Sequence, residues 1–545
     1  MLRRQRSTPP RTPFLLAGRE PWVGLVPLAL LQWAAIAIFA ASVRHNGWLF
    51  YQGGDQTWYY TTSSVLADWR LPETPIGFGW SLLLLPVALL VGPDVLAALP
   101  AVILLQVLVL GPLALFCVYG IASRIGGRAL GYAAATLWVF APFAAIPLFD
   151  DRYHERYVEQ FLPGALGLTG LADFPSTVAL LLAAYLTLRT LETRAAAYGV
   201  LAGLVAGFAI GIKPSNGLFL AAPLLAFAVA RRFREAALFG AALLPALLTL
   251  ALWKERGLGY LPAFALSVTA SGPVAALGPI DPYVDIDWSV LGANLDGLRE
   301  YFWSARLLEW LPIAGAVGVA RRSLPAAAML AAWLAAFLVV KGTTPLSTVD
   351  SGSFFRLLMP AFPAFLLLAV AVPLLVPTFG RRLAERFAVV PAPAPKRGAV
   401  FFAALVVLTA LPLVFLAVVP PLDRPLAVKD EPRNLYVPIT GELLPTGRSV
   451  AGGVQLSWPA AERPERVFYR VLRGRSDGVS CGRPADAPLQ CRLAMTVVAT
   501  TRDASFVDRP PRGRWVYRIG RAANWTDDPA LGDVLALGQP LTVTR

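Results

Sequence analysis

The sequence predicts a polytopic α-helical membrane domain followed by a small all-β sandwich domain. Of its 545 residues, 56% are hydrophobic and only 15% are charged, and the mean hydropathy is +0.59. The hydrophobic residues form uncharged runs of roughly 15 to 25 residues, the length that an α-helix needs to cross about 30 Å of hydrocarbon. Because these runs do not alternate apolar and polar residues, they exclude a membrane β-barrel.

The formal net charge of +14 indicates membrane topology rather than nucleic-acid binding. Most basic residues stand in short clusters between the hydrophobic runs, where the positive-inside rule assigns them to the cytoplasmic side. The clusters are Arg3, Arg4 and Arg6; Arg124 and Arg128; Arg189 and Arg194; Arg231, Arg232 and Arg234; Arg321 and Arg322; and Arg381, Arg382, Lys396 and Arg397. We therefore expect a multi-pass protein of the cell membrane whose basic residues 1–21 are cytoplasmic.

With every basic cluster on the cytoplasmic side, residues 22–420 are predicted to cross the membrane about eleven times. The predicted spans are 22–43, 95–122, 129–148, 175–191, 196–212, 215–231, 236–253, 307–320, 324–340, 356–377 and 399–420. An odd number of crossings places the C-terminus outside. The first span is interpreted as a retained anchor, because its apolar stretch of about twenty residues exceeds the usual core of a cleaved signal peptide.

Residues 76–91 are the difficult segment of this topology, since they are apolar but short and contain Gly77, Gly79 and Pro86. A crossing there would move the Arg124, Arg128 and Arg231 clusters to the other side. We therefore interpret the segment as a re-entrant or interfacial helix.

This topology gathers the acidic residues outside the membrane. The predicted outer loops are 44–94, 149–174, 254–306 and 341–355. The acids of the first three loops are Asp55, Asp68, Glu73 and Asp94; Asp150, Asp151, Glu155, Glu159 and Asp173; and Asp281, Asp285, Asp287 and Asp296. Since a charge in the bilayer core is costly and the spans are nearly free of charge, we expect polar chemistry at the outer surface.

Several motifs follow one another along this domain. The first loop contains Gly54-Asp55-Gln56-Thr57-Trp58-Tyr59-Tyr60 and Pro75-Ile76-Gly77-Phe78-Gly79-Trp80-Ser81-Leu82-Leu83. The second contains Asp150-Asp151-Arg152-Tyr153-His154-Glu155 and ends with Ala172-Asp173-Phe174-Pro175. Gly211-Ile212-Lys213-Pro214-Ser215 and Phe355-Arg356-Leu357-Leu358-Met359-Pro360-Ala361-Phe362-Pro363 come later. As an ordered set covering roughly residues 22–377, they resemble the GT-C class of integral-membrane glycosyltransferases, which includes protein O-mannosyltransferases and aminoarabinose and arabinofuranose transferases.

The resemblance implies that a sugar passes from a polyprenyl-phosphate donor to an acceptor hydroxyl of a glycan, lipid or protein on the extracytoplasmic face. The attacking hydroxyl needs a general base, and a carboxylate partly buried among aromatic residues suits that role. We assign the role to Asp55, with Asp150 and Asp151 as further catalytic candidates. The leaving phosphate gains negative charge in the transition state, so Lys213 and Arg356 at outer span ends are expected to bind it.

Aromatic and metal-binding candidates complete the predicted site. Trp58, Tyr59 and Tyr60 are the candidate substrate-lining residues. Clustered carboxylates favour hard divalent cations such as Mg²⁺ or Mn²⁺, and the candidate ligands are Asp150, Asp151, His154 and Glu155. With only two histidines in the chain, a multi-histidine zinc site is excluded. The GT-C class contains both metal-dependent and metal-independent members, so the resemblance is compatible with either.

Each assignment has a simpler alternative. Asp150 and Asp151 are equally typical of the point where a chain leaves lipid, and Lys213 and Arg356 of cations that snorkel to the interface. The aromatic residues of the first loop, Trp80 included, are typical of an interfacial belt. Two other functions also remain open. A transporter or flippase for a polyprenyl-linked glycan predicts ionisable or unwound sites at mid-membrane, and a catalytically silent scaffold would only present the outer domain.

The tail, residues 421–545, has the pattern of a soluble β domain. Strands are predicted at Gly453–Trp458, Val467–Leu472, Met495–Ala499 and Arg514–Ile519, at the spacing of a sandwich. Val454-Gln455-Leu456-Ser457-Trp458, Tyr469-Arg470-Val471-Leu472-Arg473 and Trp515-Val516-Tyr517-Arg518-Ile519 resemble strands of a fibronectin type III domain. The first strand is expected within Glu442–Val450. Such a domain is most often a spacer, and the alternative is that it holds the acceptor near the active loops.

The chain has three cysteines, and the two in the tail predict a disulfide. Cys117 lies inside a predicted span, whereas Cys481 and Cys491 flank a short stretch of the predicted extracytoplasmic domain, where an oxidising compartment allows a bridge. We expect one reactive thiol in the denatured, unreduced protein and three after reduction, counted by mass after alkylation. Three thiols before reduction would contradict both the bridge and the predicted side of the tail.

Overall fold

A computed structural model describes residues 22–43, 45, 48–50, 54–70, 76–193, 195–258, 286–376, 398–418, 427–430, 435–439, 441–461, 467–480, 492–523 and 534–545. Within these ranges the chain is helical up to residue 418 and all-β from residue 427 onwards. The predicted combination of a helical region and a C-terminal β region is therefore confirmed. Cys481 and Cys491 lie outside the described residues.

The helices follow the hydrophobic runs of the sequence. They are α1 (Trp22–Ser42), α2 (Gly54–Ala67), α3 (Phe78–Val91), α4 (Val95–Leu105), α5 (Gly111–Gly126), α6 (Arg128–Ala144), α7 (Asp151–Glu155), α8 (Leu162–Ala165), α9 (Asp173–Thr193), α10 (Ala196–Ile212), α11 (Ala221–Val229), α12 (Phe233–Leu258), α13 (Trp288–Tyr301), α14 (Ala305–Ala320), α15 (Leu324–Gly342), α16 (Ser353–Leu358), α17 (Phe362–Val370) and α18 (Gly398–Val418). Short π-helical turns, Gln106–Leu110 and Arg156–Phe161, and 3₁₀ turns, Ile146–Leu148, Pro214–Leu220, Met359–Ala361 and Val372–Leu375, join some of them.

Six helical stretches among the described residues are long and apolar enough to cross a membrane. They are Val23–Ser42, Val95–Gly126, Asp173–Thr193, Phe233–Lys254, Leu324–Gly342 and Ser353–Val370. Helices also occupy the other predicted spans, but several are short: α10 has 17 residues, which makes it about 25 Å long. The number of eleven crossings therefore stays a prediction.

The predicted first outer loop contains two helices, of which only the second was expected. It contains α2 and α3, which pack against each other. With 14 residues, α3 is about 21 Å long, shorter than the hydrocarbon core. This length agrees with the re-entrant or interfacial interpretation of residues 76–91. The second loop is likewise helical, because α7 and α8 lie within residues 149–174.

A ladder of glycines on α10 lets three helices approach one another closely. A Cβ atom on Gly203 would lie 2.3 Å from the Phe239 carbonyl oxygen of α12, and one on Gly207 would lie 2.9 Å from the Ala246 Cβ. At the end of the ladder, a Cβ on Gly211 would lie 2.5 Å from the Phe78 ring of α3. Small residues every fourth position are a common basis of helix packing in membranes, and here they join α10 to α12 and α3.

The β region contains twelve described strands. They are β1 (Ala427–Asp430), β2 (Leu435–Pro438), β3 (Thr446–Val450), β4 (Gly453–Ser457), β5 (Val467–Gly474), β6 (Val479–Ser480), β7 (Arg492–Leu493), β8 (Thr496–Thr501), β9 (Ser505–Asp508), β10 (Arg514–Ala523), β11 (Val534–Leu537) and β12 (Leu541–Thr544). Three sheets form, in the orders β3-β4-β9, β11-β10-β5-β8 with β12 also on β10, and β2-β1-β7-β6.

The first two sheets enclose a common core of alternating inward side chains. Val454 and Leu456 of β4 pack with Tyr469 and Val471 of β5 and with Tyr517 of β10, the pattern of a sandwich. The four predicted strands correspond to β4, β5, β8 and β10, and β3 lies where the first strand was expected. The sheet of β1, β2, β6 and β7 was not predicted, because strands of two to four residues show no usable alternation. The fibronectin type III likeness stays a prediction.

An ion pair joins the β region to the start of α4. Arg521 Nη1 of β10 donates to Asp94 Oδ2 at 2.7 Å, and the Arg521 side chain is 8% exposed. Asp94 also caps α4 by accepting the backbone N–H of Leu96 at 2.9 Å. One carboxylate therefore joins the sandwich to the start of a membrane helix.

Gly77→Ala tests the contact between α3 and α10. The added Cβ would lie 2.2 Å from the Gly211 carbonyl oxygen, and overpacking of this kind costs about 1–3 kcal/mol. We expect a lower melting temperature in detergent. Gly240→Ala in α12 is the control, since its Cβ would meet nothing within 4 Å and alanine favours helix by about 1 kcal/mol. Equal melting of the two variants would contradict the close packing.

Candidate functional site

Four charged side chains from distant parts of the chain meet in one ion-pair network. Arg356 Nη2 donates to Asp55 Oδ2 at 2.5 Å, and Arg356 Nε donates to Asp173 Oδ2 at 3.1 Å. Lys213 Nζ donates to the other oxygen of the same carboxylate, Asp173 Oδ1, at 2.5 Å. Asp55, Lys213 and Arg356 were predicted from three separate motifs. The structure therefore brings them together through Asp173.

The two acids of the network stand at helix N-termini. Asp55 lies in the first turn of α2, and Asp173 is the first residue of α9. The unpaired N–H groups there carry about half a positive charge, which favours a carboxylate. Pro175 is tolerated because the first helical turn has no carbonyl partner for its missing N–H.

Lys213 stands where α10 ends. Proline at position 214 disfavours helical backbone in the preceding residue, and Lys213 accordingly adopts φ −142° and ψ 113°. The contacts of Gly77 and Phe78 with Gly211 fix this end of the helix against α3. Two of the sequence motifs thus pack on each other, and their contact positions the lysine.

The backbone just before Asp173 is held by buried side chains. Trp80 Nε1 donates to the Gly170 carbonyl at 2.9 Å, and the Gly170 N–H donates to Gln56 Oε1 at 2.8 Å. Gln106 Nε2 donates to the Thr169 carbonyl at 2.5 Å. Because Gln56 follows Asp55 directly, the same turn of α2 supports both carboxylates of the network.

Arg356 is carried by α16, whose start is anchored from α13 and α7. Asn294 accepts the backbone N–H of Val349 at 2.9 Å, and its amide donates to the Ser347 carbonyl at 2.6 Å. The hydroxyl of Tyr153 donates to the Val349 carbonyl at 2.5 Å. The role of the second loop in this arrangement is therefore to hold the segment that presents the arginine.

Burial distinguishes the members of the network. The side chain of Asp173 is 2% exposed, that of Lys213 21%, that of Arg356 30% and that of Asp55 53%. The heads of Lys213 and Arg356 both bond to the buried Asp173 carboxylate. Binding of the donor phosphate by these two cations stays a prediction. A third cation, Lys341, is buried at the end of α15 and lies near enough to Lys213 for the two ammonium groups to repel each other.

The aromatic residues of the first loop are buried, which contradicts the interpretation as an interfacial belt. Trp58 is 3% exposed, Tyr59 7% and Tyr60 3%. Burial, together with the charges of Asp55 and Asp173, raises the pKa of Tyr59 far above its ordinary value, so its phenol stays protonated beside the network. Substrate lining by these residues stays a prediction.

Asp150 and Asp151 of the second loop lie at the start of α7, where Asp150 has a structural role. Asp150 caps α7 by accepting the Arg152 backbone N–H at 3.0 Å, and it also accepts Arg152 Nε at 2.8 Å. These hydrogen bonds hold the pKa of the Asp150 carboxyl below its usual range. The Asp151 side chain projects fully into solvent and lies 3.6 Å from His154 Nδ1. Catalysis by Asp150 or Asp151 stays a prediction.

The residues proposed as metal ligands do not converge. His154 Nε2 lies 2.8 Å from the Phe149 carbonyl, and Glu155 is exposed at the end of α7. Across the described part of the chain, no group of three or more His, Cys, Asp or Glu side chains is arranged to hold a metal ion. Both oxygens of Asp173 are bonded by cations, which disfavours a metal there. The described residues therefore do not fit the divalent cation that the sequence suggested.

Asp173 is the member of the site to which the sequence assigns no role. It stands in the motif Ala172-Asp173-Phe174-Pro175 and among the acids of the second loop, two residues before the predicted span 175–191, whereas the helix begins at Asp173 itself. The available signal was an acid just before Pro175, a pattern typical of a helix start. Lys341 was missed for a similar reason, because it follows the predicted span 324–340 directly.

No protein-family model and no curated protein matches this chain. Among solved structures it is similar to those of the Archaeoglobus fulgidus oligosaccharyltransferase, each at 14% identity. The apo form gives a TM-score of 0.40 and covers 73% of this chain and 56% of that chain. The complex of archaeal AglB with an inhibitory peptide and a dolichol-phosphate gives 0.37, with coverages of 72% and 55%.

A third structure of the same oligosaccharyltransferase, in complex with Zn and sulfate, gives a TM-score of 0.36 and covers 74% of this chain and 54% of that chain. The chain thus spans little more than half the length of these structures.

Asp173→Asn tests the centre of the network. The amide leaves Lys213 and Arg356 without their shared anion, and breaking a buried ion pair costs about 3–5 kcal/mol. Asp296→Asn is the matched control, because Asp296 pairs with Arg299 at 3.0 Å on the surface, where such a pair contributes about 0–1 kcal/mol. We expect a large fall in melting temperature for the first variant only. Equal melting would show that the network does not stabilise the fold.

Proposed function

We propose that this protein is a membrane glycosyltransferase of the GT-C type. It transfers a sugar from a polyprenyl-phosphate donor to an acceptor hydroxyl of a glycan, lipid or protein on the extracytoplasmic face of the cell membrane. The main support for the proposal is that Asp55, Lys213 and Arg356 meet in one ion-pair network with Asp173. A base candidate and two cations thus lie in one partly exposed cluster.

Lys213 and Arg356 bind the donor phosphate in this proposal. Both cations bond to Asp173, and Arg356 also bonds to Asp55. A sugar phosphodiester carries one negative charge and gains more on the leaving oxygen as the bond to the sugar breaks. Preorganised cations stabilise that charge in the transition state without reorganisation.

Asp55 is the proposed general base. Its Oδ2 is held by Arg356, and its side chain is 53% exposed, so the carboxylate is oriented but open to solvent. The acceptor oxygen bonds to the anomeric carbon, the carbon–oxygen bond to the phosphate breaks, and the acceptor proton passes to Asp55. The products are the glycoside and the free polyprenyl phosphate. No step in this sequence requires a metal.

The β region is proposed to be extracytoplasmic and of the fibronectin type III kind. Its ion pair with Asp94 joins it to the start of α4, and β2 contacts α2, the helix that carries Asp55. It would therefore stand near an acceptor that approaches from outside. Holding that acceptor is the role we propose for it.

A transporter of a polyprenyl-linked glycan is less well supported. Such a protein needs ionisable or unwound sites near mid-membrane. Four charged residues of the described network instead stand at helix ends, Asp55 and Asp173 at N-termini and Lys213 and Lys341 at C-termini. Arg356 lies in the first turns of the stretch Ser353–Val370. We therefore prefer the glycosyltransferase to the transporter as the function of this protein.

Asp55→Asn tests the assigned base. The amide keeps the size of the side chain but accepts no proton, and loss of a general base lowers the rate of transfer by about 10²–10⁴-fold. The measurement is sugar transfer from a radiolabelled polyprenyl-phosphate sugar in membranes that contain the purified protein. Asp68→Asn is the control, because Asp68 is an exposed acid at the other end of α2.

Full transfer by Asp55→Asn would remove the assigned base. Equal loss in the two variants would point to a general effect on α2 rather than to catalysis. Melting temperatures of both proteins confirm that each variant is folded.

A further inference from the structure

An arginine cluster stands at one end of the β region, apart from the proposed active site. It consists of Arg475 at the end of β5 and of Arg509, Arg512 and Arg514 around the turn between β9 and β10. All four side chains are exposed. Within the described chain, no acidic side chain forms an ion pair with any of them. Their charges are therefore available to a partner in solution.

Asp508, the acid that directly precedes Arg509 in the chain, is already bonded to other groups. Both oxygens of Asp508 accept Arg473 Nη1, at 3.0 and 2.8 Å. Oδ2 also accepts the Tyr517 hydroxyl at 2.8 Å, and Oδ1 accepts the Arg509 backbone N–H at 2.9 Å. The Asp508 carboxylate therefore pairs with the Arg473 side chain and with no arginine side chain of the cluster.

The backbone that carries the cluster is conformationally restricted. Pro510 and Pro511 restrict φ, and Gly513 adopts φ +145°, a conformation that favours glycine. The Gly513 N–H and carbonyl pair with those of Arg545 at 3.2 and 3.0 Å. Little conformational entropy is lost when a partner binds a surface that is already ordered.

Trp515 contacts both this turn and the end of β5. Its Nε1 donates to the Pro511 carbonyl at 2.8 Å, and the Arg475 and Arg473 guanidinium carbons lie 3.8 and 4.9 Å from its ring centroid. Arg475 is thus stacked beside the turn instead of moving freely.

We propose that the arginine cluster binds an anionic polysaccharide. Guanidinium groups pair with carboxylates in a bidentate manner, and several of them spaced along a surface match a polymer that repeats its negative charge. Proline and glycine separate the arginines, whereas a lipid-binding segment adds large apolar side chains that insert into the interface. Along β10 the cluster lies about 23 Å from Arg521 and its contact with the membrane helices.

The test uses the full-length protein in detergent micelles and polygalacturonate as the anionic polymer. We expect binding at low salt and release at high salt, because the attraction is electrostatic. Arg512→Gln with Arg514→Gln should lower the affinity about tenfold or more. The matched control is Arg448→Gln with Arg502→Gln, two exposed arginines of the same region that contact Gln455 and the Phe468 ring.

Equal loss of affinity in the two double variants would overturn the proposal, as would equal binding of neutral dextran by the wild-type protein. Binding to phosphatidylglycerol vesicles but not to polygalacturonate would assign the cluster to the lipid surface and would also overturn it. The inference concerns the β region alone, so its outcome is independent of whether Asp55→Asn abolishes sugar transfer.

Discussion

The structure of the site depends on one buried carboxylate that two cations share. Asp173 bonds Lys213 through one oxygen and Arg356 through the other, and Arg356 then reaches Asp55. A buried charge is stable only when it is paired and hydrogen-bonded. The helices that carry these residues, α2, α9, α10 and α16, are therefore held in one arrangement at the ends that form the network.

Close packing of the helices positions the charged residues of this network. The glycines of α10 allow α3 and α12 to approach within backbone contact, and a side chain larger than hydrogen at these positions would shift Lys213. On the other side, Asn294 and Tyr153 fix the segment before Arg356. The predicted loops therefore anchor the segment that carries Arg356, and two of their exposed acids, Asp150 and Asp287, cap helices.

The motifs of the sequence contain all four residues of the network, but they assign no role to Asp173 at its centre. Asp55, Lys213 and Arg356 are candidates because the resemblance implies a base and cations that bind a phosphate. Their meeting was not predictable, since Asp55 and Arg356 are 301 residues apart and the contact depends on how four helices pack. Likewise, no local pattern indicates that Trp58, Tyr59 and Tyr60 are buried instead of facing lipid. Alternation was sufficient for the long strands of the sandwich, whereas the short strands of the third sheet depend on tertiary pairing.

The central claim is that the cations around Asp173 hold the phosphate of a lipid-linked sugar donor. Mass spectrometry of lipid that co-purifies with the protein tests it most directly, by comparing the wild type with a folded Lys213→Met variant. The account predicts a polyprenyl-phosphate sugar on the wild type and its loss from the variant. A larger bound glycolipid in place of that donor, or equal retention of the donor by the variant, would contradict the account.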